Sequence, residues 1–316
     1  MKSAALFLAI LAFGTILSAE EWKPSRRSLW EAEGENHYSC DLSGTENGWN
    51  AIGLKKDLEP EKFYRLSFFS KGECPKDSLR IGIIRADKNR LNFRADLRKN
   101  WTKHQQIFYS KAGGLAELIF SLPKNKKCTA EIRGIELAEV PESELTGNLY
   151  PEGDAEDSAI GTGNWNLLSH ELPDLLSIEP NKDFLAGEWN FALKISPVKK
   201  GAVGIKSRYI PITPGKKYRF SFWAKANRKT GLHYIISLWS PEKHSGKHFW
   251  KRSLAVLSTE WMPYSMEVEI PDDLEKYPDL AGRILYLCFR VPNNQETAEI
   301  RLDDIVFEET DGTKAK

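Results

Sequence analysis

Three stretches of this sequence alternate apolar and polar residues with the period of two that is typical of β-strands. They cover residues 217–224, 233–239 and 284–291. If the larger apolar residues face a core, the other side of each strand carries aromatic, His or Arg side chains. These predicted outward residues are Arg219, Trp223, His233, Trp239, Tyr286 and Arg290. Flat rings beside polar groups can hold a ligand by stacking and by hydrogen bonding.

We predict that Trp223, Trp239, Tyr286 and Arg290 share one concave sheet face. Trp250, with His248 nearby, is expected to form a wall of the same site. The sequence therefore places its candidate ligand-binding residues on strands of its second half, where a rigid sheet can position them.

Catalytic motifs are missing from the sequence. It contains no G-x-S-x-G, P-loop, H-E-x-x-H or C-x-x-C pattern. His244 and His248 are four residues apart, but no third zinc ligand accompanies them. Asp303 and Asp304 are neighbours on a predicted strand, so they point to opposite faces and cannot act as a glycosidase pair. We expect a binding protein without an organic cofactor.

Short strand-like runs between turn-rich breaks extend over most of the chain, with little helical periodicity. This pattern is typical of β-sandwiches. At about 150 residues per domain, the length indicates two domains. We predict an all-β protein made of two tandem β-sandwich domains.

An internal repeat supports the two-domain prediction. Residues 58–71 and 212–225 share the core Y-R-(F/L)-S-F-(W/F), which aligns Tyr64 with Tyr218 at an offset of 154 residues. Trp101 aligns with Trp261 at an offset of 160, and the triplet Glu-Ile-Arg at 131–133 aligns with 299–301 at an offset of 168. We place a degenerate first domain at 20–140, a polar linker at 141–147 and the second domain at 148–310.

The chain begins with Lys2, an apolar run over 4–17 and the small residues Ser18 and Ala19. This order predicts a secretory signal peptide at 1–19. The apolar run is shorter than the roughly 20 residues that span a bilayer. We therefore expect a secreted protein, extracellular or periplasmic, with no membrane attachment after cleavage.

Charge limits the class of partner. The chain has 45 Lys and Arg and 44 Asp and Glu residues, so removal of Lys2 with the signal peptide leaves it formally neutral. Nucleic acids and anionic membranes require a basic surface, which this balance does not supply. The partner is expected to be uncharged, or to be recognised by a local patch.

Four cysteines allow three disulfide pairings in an oxidising compartment. Cys74 follows one predicted strand of the first repeat, and Cys128 precedes its last strand. If these two strands are antiparallel neighbours, their cysteine-bearing ends meet, so we favour a Cys74–Cys128 disulfide. Cys288 lies inside a predicted strand and is expected to be a free, partly buried thiol.

From Asn148 onward the sequence resembles the jelly-roll carbohydrate-binding modules of families 4 and 9, which have a galactose-binding-like fold. Its opening N-L-Y-P-E-G-D-A-E is similar to the family's N-L-L-P-N-G-D-F-E, and L-A-G-E-W-N-F-A-L-K-I-S resembles its H-S-G-x-x-A-L-K-V segment. The blocks P-G-K-K-Y-R-F-S-F-W-A-K, S-T-E-W and I-R-L-D-D-I follow in the family's order. Five blocks span about 160 residues. Ala155 departs from the usual Phe, and the first repeat lacks the opening block.

The resemblance implies that the protein binds a polysaccharide or oligosaccharide without cleaving it, within a glycoside-hydrolase system. Aromatic rings would cover the apolar face of a sugar, and polar groups would bind its hydroxyls. The resembled modules also hold a structural calcium, which carries over to Glu156 and to Asp303 or Asp304.

Two other functions remain open at this point. One is a structural or adhesive module of the cell envelope, in which the aromatic residues are core or protein-interface groups. The other is a jelly-roll polysaccharide lyase, in which His233, Tyr286 and Arg290 supply the catalytic groups.

Overall fold

The computed structural model describes most of the chain between residues 23 and 310. The described residues are 23–24, 30–41, 50–74, 79–85, 90–123, 127–150, 153, 155, 163–168, 175–180, 189–195, 203–237, 250–273, 276–277, 283–292 and 297–310. Several predictions fall outside these ranges: the signal peptide at 1–19, the calcium ligand Glu156, and the ligand-binding residues Trp239 and His248. No helix among the described residues is long and apolar enough to cross a membrane.

Ten strands build the first module, in two antiparallel five-stranded sheets of order β1-β4-β9-β6-β7 and β2-β3-β10-β5-β8. The strands are β1 Lys23–Pro24, β2 Trp30–Gly34, β3 His37–Asp41, β4 Ala51–Leu58, β5 Lys62–Glu73, β6 Leu79–Ile84, β7 Arg90–Ala95, β8 Thr102–Ser110, β9 Gly114–Ser121 and β10 Thr129–Glu139. A 3-10 turn, Glu142–Glu144, follows β10.

The second module also has two sheets, of order β11-β14-β20-β17-β18, with β15 added beside β20, and β12-β13-β21-β16-β19. Its strands are β11 Trp165–Leu167, β12 Leu176–Pro180, β13 Trp189–Ile195, β14 Val203–Ser207, β15 Ile210–Pro211, β16 Lys217–Ala226, β17 Thr230–Ser237, β18 Trp250–Leu257, β19 Met262–Glu269, β20 Ile284–Val291 and β21 Ala298–Glu309.

The two modules match strand for strand. When β15 is set aside, each strand of the first module has a counterpart at the same place in chain order and in sheet order of the second. The prediction of an all-β chain with two tandem jelly-roll β-sandwiches is confirmed.

The register corrects one part of the predicted repeat. Tyr64 pairs with Glu139, and Tyr218 pairs with Glu309, so the last strands correspond at an offset of 170 residues rather than 168. The Glu-Ile-Arg triplets are therefore two residues out of register. Gly134 corresponds to Asp304, and both adopt positive φ, of 57° and 51°, at a β-bulge. The bulge geometry, and not the short sequence match, identifies equivalent positions.

Alternating burial along the central strands creates the two cores. Along β16, Tyr218, Phe220 and Phe222 are buried while the residues between them are partly exposed, as the period-two pattern predicts. The inward residues of β17 and β20 complete the second core. The first core has the same construction around β5, β6 and β9, and it also includes Tyr209 and Ile284 from the second module.

Strands β2, β3 and β4 near the N-terminus were not predicted from the sequence. Strand β2 buries only Trp30, and β4 carries Lys55, Lys56 and Asp57. Because β2 lies at the edge of its sheet and buries only one side chain, its sequence contains only one large apolar residue. Such strands are held by pairing with their neighbours and leave a weak signal in sequence.

The structure contains the predicted disulfide between Cys74 and Cys128. The strands that carry it, β5 and β10, are antiparallel neighbours, with Glu73 opposite Thr129. Cys40 and Cys288 are free and buried. Burial raises the pKa of each of these two thiols to about 12, so both remain protonated near neutral pH.

The modules contact each other through polar and aromatic groups. His104 Nδ1 donates to the carbonyl oxygen of Gly163 at 2.8 Å, and the backbone N–H of Leu167 donates to Asp96 Oδ2 at 2.7 Å. The rings of Phe93 and Tyr209 meet edge to face at 5.3 Å between centroids. One end of the β11-β14-β20-β17-β18 sheet is therefore covered by the first module.

Candidate functional site

The predicted ligand-binding residues lie on two different sheets, which corrects the prediction of one shared face. Trp223 and Arg219 are on β16, whereas Tyr286 and Arg290 are on β20 of the opposite sheet. Outward residues of the two sheets of a sandwich point in opposite directions. The alternation along each strand was right, but Trp223 cannot share a face with Tyr286.

Trp223 and Arg219 belong to the outer face of the β12-β13-β21-β16-β19 sheet. Arg219 forms an ion pair with Glu308 on the neighbouring strand β21. Trp223 lies opposite Pro263 and Asp303 and is partly buried. Their neighbours on this face thus include a carboxylate that already neutralises the Arg219 guanidinium.

The other predicted residues meet on the outer face of β17, β18 and β20, which we call the open face. Its outward positions follow from the alternation and from the register of the three strands. They are Gly231, His233, Ile235, Ser237, Trp250, Arg252, Leu254, Val256, Tyr286, Cys288 and Arg290.

Strand β18 gives the open face its exposed apolar surface. Trp250, Leu254 and Val256 are 57%, 51% and 56% exposed, although all three are large and apolar. The Arg252 guanidinium carbon lies 5.5 Å from the centroid of the Trp250 ring. Exposed apolar side chains beside charged groups are a frequent sign of a binding surface.

His233 and Arg290 are direct neighbours across the β17–β20 pair. Arg290 is exposed, and His233 is partly buried. His233 Nδ1 is buried and has no hydrogen-bond partner among the described residues. A polar ligand group or a water molecule would satisfy this atom, since buried polar atoms normally have a partner.

Tyr286 lies at the junction between the modules. Its ring is 6.1 Å from that of Tyr209, and Lys206 Nζ lies 5.7 Å from its centroid. Tyr286 packs against the first core and is opposite Ser237 on β17. Burial raises the pKa of its hydroxyl above the usual value. Tyr286 therefore marks the closed end of the open face, and Trp250 marks its exposed edge in the same register row.

The lyase constellation is not assembled. Tyr286 pairs with Ser237, four residues beyond His233, which is about 13 Å along the strand. A base and an acid that act on one sugar residue must both reach it. The raised pKa of Tyr286 also opposes its use as a base. His233 and Arg290 come together, but Tyr286 is remote from them.

The described part of the predicted calcium site consists of Asp303 and Asp304. Asp303 is buried, and its Oδ1 accepts a hydrogen bond from the Asp304 backbone N–H at 2.8 Å. Gly153 approaches the Ile305 carbonyl so closely that a Cβ there would lie 1.8 Å from the oxygen. The opening segment of the second module therefore lies against the strand that carries both aspartates. Among the described residues no group of three His, Cys, Asp or Glu side chains could hold a metal.

Three exposed residues of the open face were missed from the sequence: Arg252, Leu254 and Val256. They alternate with Ser253 and Ala255, which face inward. The sequence does show this alternation, but the exposed Leu254 and Val256 are apolar and the inward residues are small, so the pattern is inverted over this part of the strand. Only the pairing with β17 assigns the faces.

Comparisons with known proteins give a fold likeness. The sequence matches no protein-family model, and no curated protein matches it. The tandem of two family 22 carbohydrate-binding modules from Paenibacillus barcinonensis Xyn10C is 12% identical, with a TM-score of 0.40, over 95% of this chain and 96% of that chain.

Two single modules are similar to about half of the chain. The N-terminal cellulose-binding domain of Cellulomonas fimi β-1,4-glucanase C is 13% identical, with a TM-score of 0.34, over 52% of this chain and 99% of that chain. A family 4 carbohydrate-binding module is 18% identical, with a TM-score of 0.34 and the same coverage of 52% and 99%. The solved structures similar to this chain thus include carbohydrate-binding modules of families 22 and 4.

Proposed function

We propose that this protein is a carbohydrate-binding protein that holds a polysaccharide chain on the open face of its second module. The observation that carries the proposal is the exposed Trp250 ring on the same sheet face as His233 and Arg290. The ring would cover the apolar side of a sugar, and the polar side chains would bind its hydroxyl groups. The short sequence blocks shared with family 4 and 9 modules favour the same function.

We propose for this protein the location and the partner system that the sequence predicts. The protein is secreted through the signal peptide at 1–19 and serves a glycoside-hydrolase system as a non-catalytic module. It has no organic cofactor. The first module acts as a scaffold rather than as a second binding module, because the blocks of the resembled family are incomplete there.

Retention of the full chain in gels that contain single polysaccharides tests the proposal. We expect retention by at least one of a panel of glucans, xylans, mannans and algal polymers. Trp250→Ala should weaken binding about tenfold or more, since a stacked ring is lost. Trp189→Ala is the matched control, because Trp189 is also exposed but lies on the opposite sheet. Absence of retention on every polymer would overturn the proposal.

The exposed aliphatic residues Leu254 and Val256 favour a second candidate, an adhesive module that binds a protein of the cell envelope. The same variants separate the two candidates. If Trp250→Ala leaves glycan retention unchanged while Leu254→Ser abolishes association with envelope fractions, the adhesive function is supported instead.

We also propose a structural calcium in the second module, held by Asp303 or Asp304 together with Glu156. The support is a buried carboxylate on a bulged strand that lies beside the opening segment of the module. Carboxylate and backbone oxygens are the ligands that calcium prefers. Calcium should raise the Tm of protein treated with EDTA. Calorimetry should show no calcium binding by the Asp303→Asn variant, and equal binding by both proteins would contradict the site.

A further inference from the structure

The open face carries positive charge without any acidic side chain. None of its described outward residues on β17, β18 and β20 is Asp or Glu, whereas Arg252 and Arg290 are exposed and His233 lies between their strands. The whole chain has a formal net charge of only +1. The positive charge is therefore a local property of this face and not a consequence of composition.

Three arginines on other outer faces have carboxylate partners, whereas Arg133 on β10 lies over the rings of Phe69 and Trp101. Arg219 pairs with Glu308, Arg301 pairs with Glu299, and Arg65 of the first module pairs with Glu144. No ion pair joins Arg252 or Arg290 to a carboxylate within the described part of the chain. A guanidinium offers a planar fork of donors that matches a carboxylate, so these two groups remain available to a ligand.

The spacing of the two arginines requires a ligand with more than one negative group. Arg290 and Arg252 are two strands apart and two residues apart in register, which places their backbones about 12 Å from each other. The Arg252 guanidinium lies over the Trp250 ring and so extends away from the Arg290 row. One carboxylate cannot contact both side chains, but a chain with repeated carboxylates can.

We infer that the ligand of the open face is an acidic polysaccharide that carries uronate carboxylates. The inference rests on the proposed function and specifies its ligand class. The Trp250 ring stacks on one sugar, while Arg252 and Arg290 bind carboxylates of separate residues along the chain. Among the described residues the face is exposed along β18, so the polymer lies across the strands.

Binding of the full chain to two polyuronates, polygalacturonate and alginate, tests the inference, with xyloglucan as a neutral polymer and dextran sulfate as a sulfated one. We expect retention on a polyuronate that falls as salt is raised, because exposed charges are screened. Arg290→Gln and Arg252→Gln should each weaken binding about tenfold, and their thermal unfolding verifies that they fold. Arg219→Gln, on the opposite sheet, should bind like the parent protein.

The outcomes distinguish this inference from the proposed function. Retention on neutral glycans alone, unaffected by Arg290→Gln, overturns the acidic ligand but keeps carbohydrate binding. Retention on dextran sulfate alone overturns the uronate assignment. Equal weakening by Arg219→Gln and Arg290→Gln shows general charge attraction and overturns the site. Absence of retention on every polymer overturns both proposals.

Discussion

The two modules have the same scaffold of ten strands but different outer faces. The first module's counterpart of the open face has the outward residues Arg80, Gly82, Ile84, Asn92, Arg94, Glu117, Ile119 and Ser121. None of these is aromatic, and one is acidic. At the corresponding strands the second module places Trp250, Tyr286 and His233, and none of its described outward residues there is acidic.

This difference shows which positions the fold constrains. Inward residues such as Phe68 and Phe222 are buried in both modules and occupy equivalent positions. Outward residues contribute little to the core, so they can change without loss of the sandwich. Ligand binding is thus expected in the module whose described outward residues include aromatic side chains and no acidic one.

The largest expected effect on stability concerns the interactions that join the ends of the paired central strands in each module. The first uses the Cys74–Cys128 disulfide beside the Glu73–Thr129 pair. The cysteines are 54 residues apart, so the cross-link should stabilise the first module by about 4 kcal/mol through chain entropy. The variant with Cys74→Ala and Cys128→Ala should lose this amount of unfolding free energy, which denaturant unfolding measures. Calorimetry then shows which module's transition has shifted.

The second module supplies the internal control for that experiment. At the equivalent strand ends, the Asn227 N–H donates to the Glu299 carbonyl at 2.9 Å, and the Glu299 N–H donates to Asn227 Oδ1 at 3.0 Å. Its unfolding transition should not shift in the double variant. A reducing agent should reproduce the effect in the parent protein, and equal shifts of both transitions would contradict the local role of the disulfide.

The next effect concerns a matched pair of side chains, His104 and Tyr264. They lie opposite the equivalent Phe68 and Phe222, respectively, and stack on them. His104 is covered by the second module at Gly163, whereas Tyr264 remains partly exposed. Burial lowers the pKa of His104 to about 4 from 6.5.

As the pH falls, His104 is therefore protonated in the unfolded chain before it is protonated in the folded protein. This contribution to stability is fully present above pH 6.5 and is lost as the pH falls to about 4, by roughly 3 kcal/mol. His104→Asn should be less stable than the parent at pH 7. The difference in unfolding free energy between the two proteins should shrink by this amount at pH 4. A difference independent of pH would contradict the burial of a neutral imidazole.

A smaller effect is expected at the contact between the modules. The carboxylate of Asp96 is buried and accepts a hydrogen bond from the Leu167 N–H at 2.7 Å. Asp96→Ala should cost about 2 kcal/mol, because it leaves a buried donor without a partner. Calorimetry should then show a wider separation between the transitions of the two modules. Asp57→Ala, at an exposed position of the first module, should leave the profile unchanged, and a similar change there would contradict the assignment.

The sequence predicts the central strands well because they bury one face completely. Strands Lys217–Ala226 and Ile284–Val291 show this alternation clearly. Edge strands such as Trp30–Gly34 bury one residue and leave little pattern. Alternation also reveals the side of a strand on which Trp223 or Tyr286 lies, but not the sheet to which that strand belongs. Sheet membership depends on long-range pairing, which is why the candidate site was assigned to one face although its residues lie on two.

The smallest effect tests whether the shared scaffold is energetically equivalent in the two modules. Tyr64 Oη accepts a hydrogen bond from the Glu59 N–H at 2.8 Å, and Tyr218 Oη accepts one from the Thr213 N–H at the same distance. Each bond joins the turn before a central strand to that strand. Tyr64→Phe and Tyr218→Phe should each cost about 1 kcal/mol in denaturant unfolding. The cost should be slightly larger for Tyr218, which is 1% exposed against 8% for Tyr64. If only one of the two scaffold variants is destabilised, the modules share their strand order but not the interactions that hold it.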